Sequence, residues 1–157
     1  MHTLKQLLSG ELSSAKPAIT RLQLADNLTE FPVEIFDLAD SLEVLDLSNN
    51  KLSSLPADFG RLKHLRILFL SNNQFDHLPE VLAECPKLEM IGFKANQIKT
   101  VSENALPIDT RWLILTDNKI EKLPDSMGLL SRLQKLALAG NQLTELPSSM
   151  ANCRSLE

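Results

Sequence analysis

The same 23-residue pattern recurs along nearly the whole chain. "LEVLDLSNNKLSSLPADFGRLKH" (residues 42–64) is followed by "LRILFLSNNQFDHLPEVLAECPK" (65–87). Further copies occupy 88–109, 110–132 and 133–155, and the first of these three is one residue shorter than the rest. A weaker copy, "ITRLQLADNLTEFPVEIFDLADS", precedes them at 19–41 and is one residue short between Leu24 and Leu28. A period of this length means a stack of like units, because one unit of some 23 residues cannot bury its own apolar face. Stacking neighbours makes a continuous core, so residues 19–157 are predicted to form one elongated repeat domain of six units.

Each unit follows L-x-x-L-x-L-x-x-N-x-L-x-x-L-P, and the chemistry of each position can be read off. Alternating leucines such as Leu45 and Leu47, or Leu68 and Leu70, form one face of a short strand. Asn50, Asn73, Asn96, Asn118 and Asn141 recur at spacings of 23, 23, 22 and 23. An amide side chain both donates and accepts, so this column is expected to satisfy buried backbone groups at a turn and to bond to the turn of the next unit. Pro32, Pro56, Pro79, Pro124 and Pro147 end the extended segment. Ile35, Phe59, Leu82 and Met127 then turn the return segment into the core.

This pattern resembles the leucine-rich repeat family over nearly the whole chain. The resemblance implies an α/β solenoid: a curved, right-handed superhelix with a parallel β-sheet on its concave face and irregular or short helical turns on its convex face.

The two ends differ. Leu4, Leu7 and Leu8 have the spacing of one helix face, and Gly10 is placed to stop that helix. Residues 1–18 are therefore expected to be an N-terminal helical cap over the first unit. At the other end the sequence reaches Leu156–Glu157, two residues into a seventh unit. That predicts repeats continuing beyond residue 157 in the parent protein, or a last strand that pairs with another molecule by self-association. Leu156–Glu157 also fits a cloning remnant.

Composition excludes several classes of function. A net charge of −4 argues against a nucleic-acid surface, which draws on clustered Lys and Arg. No apolar run approaches the ~20 residues of a membrane span, and the N-terminus lacks a signal-peptide core, so a cytoplasmic location is expected. Asp58–Phe59–Gly60 spells a kinase motif, but Phe59 holds the inward repeat position and no companion motif is present. Ser13 to Lys16 fits S-x-x-K without its partner motifs, and Asn27–Leu28–Thr29 is a sequon meaningful only in a secreted protein. Cys85 and Cys153 occupy the same repeat position three units apart, roughly 14 Å at a strand spacing of ~4.8 Å. A disulfide needs Cα atoms within about 7 Å, so both are expected to be reduced core residues. His2, His64 and His77 share no ligand spacing, and His64 and His77 are expected in solvent-facing loops. Neither a metal site nor a cofactor is expected, nor a nucleophile–base pair.

Function is therefore sought on the concave face. Residues flanking the inward strand leucine point outward, giving Arg21, Val44, Ile67, Met90, Trp112 and Lys135 in one column and Gln23, Asp46, Phe69, Gly92, Ile114 and Ala137 in the other. Val44, Ile67, Phe69, Met90, Trp112 and Ile114 thus form an apolar stripe bounded by Arg21 and Lys135. Glu43, Arg66, Glu89 and Arg111 are expected along one side, with Ser48, Asn49, Asn72, Lys94 and Asp117 along the other. Gly92 is expected to leave a dip between Phe69 and Ile114. A contiguous apolar patch with a polar rim marks an interaction site, here for a protein or peptide. Strand propensity alone would also place Val and Ile at such positions.

"LTEFPVEIFDLADSLEVLDLS", "LEMIGFKANQI", "RWLILTDN" and "LQKLALAGNQL" are similar to the N-terminal repeats of bacterial leucine-rich-repeat protein kinases. That likeness implies a Ser/Thr kinase-like domain after the repeats and offers it as a partner in cis. Nothing of a kinase lies within these residues, so phosphotransfer is not assigned to them. A structural spacer is the third reading.

Overall fold

The computed structural model describes residues 1–157. Six strands, β1 (Arg21–Gln23), β2 (Val44–Asp46), β3 (Ile67–Phe69), β4 (Met90–Gly92), β5 (Trp112–Ile114) and β6 (Lys135–Ala137), form one parallel sheet in sequence order. Each strand has three residues, and its central side chain, Leu22, Leu45, Leu68, Ile91, Leu113 or Leu136, points into the core. After each strand the chain turns through a residue with positive φ and returns along the opposite side. Five returns form 3₁₀ helices: Val33–Leu38, Phe59–Arg61, Glu80–Glu84, Asp125–Leu129 and Ser148–Asn152. A proline is the N-cap of four of them, where its missing N–H loses no helical bond. Ile35, Phe59, Leu82 and Met127 drive these returns inward and are all fully buried. Each such side chain contributes about 1.5–3 kcal/mol by leaving water.

A single cluster of 36 buried apolar residues runs from Leu7 to Cys153, so every unit shares its core with its neighbours. Strands can approach to ~4.8 Å, whereas the bulkier returns need more room, and this mismatch bends the stack with the sheet on the inside.

The asparagine column differs from expectation in its direction. Asn73 Nδ2 donates to Leu47 O at 3.0 Å and to Leu70 O at 3.2 Å, while its Oδ1 accepts from Leu52 N–H at 2.9 Å. Leu47 and Leu52 belong to the preceding unit. Asn50, Asn96, Asn118 and Asn141 repeat the arrangement, each reaching back one unit. Each strand-end carbonyl thus accepts from the amide of its own unit and from that of the following unit, whereas the turn N–H, as at Leu52, donates only to the following unit's amide. Asn50 thereby completes the shortened first turn, which has no such asparagine of its own.

The unit at 88–109 is the irregular one. It forms no 3₁₀ helix, and Val101 and Ser102 stand where other units have Leu or Phe followed by Pro. Glu103 there serves the next unit: its carboxylate accepts the N–H of Asp125 at 3.0 Å and of Ser126 at 2.9 Å. Thr110 occupies a column otherwise held by Leu42, Leu65, Leu88 and Leu133. It is fully buried, and its hydroxyl donates to Pro107 O at 2.6 Å, which satisfies the one polar atom the substitution brings inside.

At the N-terminus, helix α1 (Leu4–Leu8) is closed by a reciprocal capping box between Thr3 and Gln6. It spans the three leucines of the spacing, and Gly10 follows its C-cap. Leu7 is buried and Leu4 half-buried, but Leu8 is exposed, and Leu12 supplies the next buried contact instead. Gly10 follows at φ +81°, a left-handed conformation that suits glycine. The free edge of β1 is occupied by His2, whose N–H donates to Gln23 O at 2.9 Å while its Nδ1 accepts from Gln23 N–H at 3.4 Å.

Candidate functional site

The sheet register brings the two outward columns together as continuous rows. Arg21, Val44, Ile67, Met90, Trp112 and Lys135 are successive partners across the sheet, and so are Gln23, Asp46, Phe69, Gly92, Ile114 and Ala137. All six apolar members of the stripe retain access to solvent, and Trp112 is 38 % exposed. Of the six phenylalanines only Phe69 stands on this face; Phe31, Phe36, Phe59, Phe75 and Phe93 are buried.

The dip expected at Gly92 is absent. Phe69 lies against it, so that a Cβ on Gly92 would meet Phe69 Cδ1 at 2.9 Å. An aromatic ring beside an empty position leans into it, gaining dispersion contacts it would otherwise lack. The stripe is therefore a filled, shallow surface.

One flank is a chain of paired charges. Arg66 Nε donates to Glu43 at 3.1 Å and its Nη1 to Glu89 at 3.3 Å. Arg111 then lies 3.8 Å from the same Glu89 and donates to Gln134 at 3.1 Å. The hydrogen bond to Glu43, aided by the charges of both carboxylates, holds the Arg66 guanidinium above its ordinary pKa. On the opposite flank the bonds are between neutral groups: Asn72 Nδ2 donates to Asn49 Oδ1 at 2.9 Å, and Ser71 N–H to Ser48 Oγ at 3.1 Å. Lys94 and Asp117 on this flank are exposed. Lys135 closes one end, its Nζ 5.0 Å from the centroid of the Trp112 ring, a cation–π distance. Arg21 stands exposed at the other end.

The residues noted elsewhere in the sequence do not join this surface. Cys85 and Cys153 are both buried free thiols, and burial pushes the Cys85 thiol up to about 12. His77 is exposed and pairs with Asp76 at 2.7 Å, which holds the Asp76 carboxyl below its usual range. His64 is half-buried rather than free in a loop, because Lys87 packs beside it at 3.4 Å. No group of three or more His, Cys, Asp or Glu side chains is arranged to hold a metal ion, and no helix is long and apolar enough to cross a membrane.

Sequence reasoning missed the left-handed residue in each turn: Asn27, Asn49, Asn72, Ala95, Asp117 and Gly140 all have positive φ. The signal was present, since Asn, Asp and Gly are the residues that tolerate this conformation, and Ala95 breaks the series.

These features define a parallel-stranded repeat solenoid with an apolar, charge-flanked sheet face. The chain belongs to the leucine-rich repeat family: the family descriptions "Leucine rich repeat" and "Leucine Rich Repeat" match residues 17–75 and 40–98, and residues 132–153, respectively. Among solved structures, a leucine-rich repeat protein of Leptospira interrogans is 27 % identical with a TM-score of 0.87, the match covering 100 % of this chain and 40 % of that one. The plant peptide hormone receptor RGFR1 in complex with RGF2 is 30 % identical with a TM-score of 0.74, over 88 % of this chain and 23 % of the other. An internalin of Listeria monocytogenes, 23 % identical with a TM-score of 0.69 over 86 % and 39 %, shares the fold. A curated relative, plant intracellular Ras-group-related LRR protein 7 of Oryza sativa subsp. japonica, is 31 % identical over 68 residues, 42 % of this chain and 26 % of the relative. The chain thus spans 40 % or less of the length of each of these four proteins.

Proposed function

We propose that this chain is a protein-interaction module that binds a protein or peptide along the sheet face, with Val44, Ile67, Phe69, Met90, Trp112 and Ile114 as its contact surface. The observation that carries this reading is the register, which makes neighbours of six apolar side chains that the core does not use. Trp, Met, Phe and Arg are the residue types enriched at the centres of interfaces. Arg66 and Arg111, already held by Glu43 and Glu89, lose little conformational freedom on binding, and Lys135 supplies a charge beside the tryptophan. The receptor among the structural neighbours, solved with RGF2 bound, supports a protein or peptide as the class of partner.

The test is capture of partners from an extract of the native organism, read by mass spectrometry, with Trp112→Ala and Phe69→Ala as controls. Loss of the same captured protein in both variants is expected. Retention of every captured protein by both would leave the chain as a spacer and sink this reading.

A second reading rests on the likeness of "RWLILTDN" and its companion stretches to bacterial leucine-rich-repeat kinases. In it the same face contacts a catalytic domain of the parent polypeptide. An uninterrupted kinase reading frame downstream of residue 157 is its expected signature; a different domain there removes it.

A further inference from the structure

We infer a second docking surface, away from the sheet face, for a short peptide segment of a protein partner that carries apolar residues interleaved with Lys or Arg. It is the groove between α1 and the first turn and return of the solenoid, with a volume of about 530 Å³. Leu4 and Leu8 line one wall and Val33 the other. Leu8 is 56 % and Val33 62 % exposed, so two aliphatic side chains on separate elements face one groove without covering each other. A volume of this size lies in the range of ligand clefts and admits a few side chains.

Charge selects the occupant. Asp26, Glu30 and Glu34 also line the groove, and no basic side chain does. The ion pairs of the chain, from Asp58–Arg61 to Asp109–Arg132, include none of these three carboxylates. On the sheet face, by contrast, Glu43 and Glu89 are matched by Arg66. An apolar floor with three unmatched negative charges attracts a segment whose leucine-like side chains enter the groove while its cations meet the rim. The same field repels anionic lipid and acidic peptides. This surface does not depend on the proposed role of the sheet face.

The experiment uses the full chain and two fluorescein-labelled hexapeptides, KLLKLK and ELLELE, followed by fluorescence anisotropy at low salt. Saturable binding of the basic peptide is expected, at least tenfold tighter than the acidic one. Leu8→Ser and Val33→Ser, both at exposed positions, should each weaken it at least fivefold. Paired Glu30→Gln and Glu34→Gln should weaken it and flatten its dependence on salt, while Trp112→Ala leaves it unchanged. Equal binding of the two peptides, indifference to both serine variants, or loss on Trp112→Ala would overturn the inference. So would a concentration-dependent dimer that Leu8→Ser dissolves, since a second copy would then be the occupant.

Discussion

Phe69 and Gly92 sit side by side on adjacent strands, and the ring of the first takes the space that a side chain on the second would need. Gly92→Ala should therefore push Phe69 outward. A movable ring yields more readily than backbone, so the expected loss is about 1 kcal/mol, near the low end of overpacking costs. Gly128→Ala should cost more, about 2–3 kcal/mol, because its Cβ would meet Ser149 backbone oxygen at 2.5 Å. Urea denaturation of the two variants tests the order, and equal losses would contradict this account.

Replacing Asn73 with alanine should destabilise the stack. It would leave the buried Leu52 N–H without a partner, at about 1–3 kcal/mol, and would take one of two donors from Leu47 O and Leu70 O, which keep the amides of Asn50 and Asn96. Asn141, only half-buried, makes equivalent bonds where water can replace it. Asn141→Ala should thus cost distinctly less, and thermal unfolding would show a larger fall in Tm for Asn73→Ala.

Ala95 is held at φ 57° where its counterparts are Asn, Asp or Gly. An alanine in the left-handed region is strained by about 1–2 kcal/mol. Ala95→Asn or Ala95→Gly should stabilise the protein, by up to about 1 kcal/mol after the entropy of the unfolded chain is counted. A lowered urea midpoint in both variants would contradict the strain.

Trp112 is the single tryptophan, so its fluorescence reports this one site. Its emission should be red-shifted and quenched by iodide, and more by iodide than by caesium because Lys135 sits over the ring. Lys135→Gln should reduce iodide quenching. Emission typical of a dry core, without quenching, would refute the register of β5.

Burial raises the Cys85 thiol from its ordinary 9.0 to about 12 and raises Cys153 as well. Neither should react with Ellman's reagent at pH 8 in the folded protein, and both should react in urea. The linkage sign follows: above pH 9.0 the unfolded chain releases the Cys85 proton and the folded chain keeps it, so stability falls as pH rises from 9.0 to about 12. Cys85→Ala should flatten the pH dependence in that window.

Period and alternation made the fold and the outward rows legible, because a two-residue strand period assigns every side chain a face once the leucines are placed. "RWLILTDN" separates on that basis into Leu113, Leu115 and Asn118 for the scaffold, with Trp112 and Ile114 outside it. What escaped the sequence depends on contacts between units. Whether Phe69 fills the space at Gly92 is decided across two strands. The backward reach of the asparagine bonds is decided by how one turn lies against the next, which no single unit encodes. Leu8 reads as helix face, yet it stays exposed because Leu7 and Leu12 take the buried contacts of the cap. The groove beside it exists only because α1 and the first return meet.

The backward reach of the asparagines gives the stack a grammar in time as well as space. A turn is finished only when the amide some 23 residues later arrives, so during synthesis each unit leaves the ribosome with one turn N–H still unpaired. At about 5–20 residues per second, that wait is on the order of one to five seconds. The newest turn on the growing chain is always the least protected one. A chaperone or protease that samples nascent chains would meet this moving front, and each new asparagine would close the door one unit behind it.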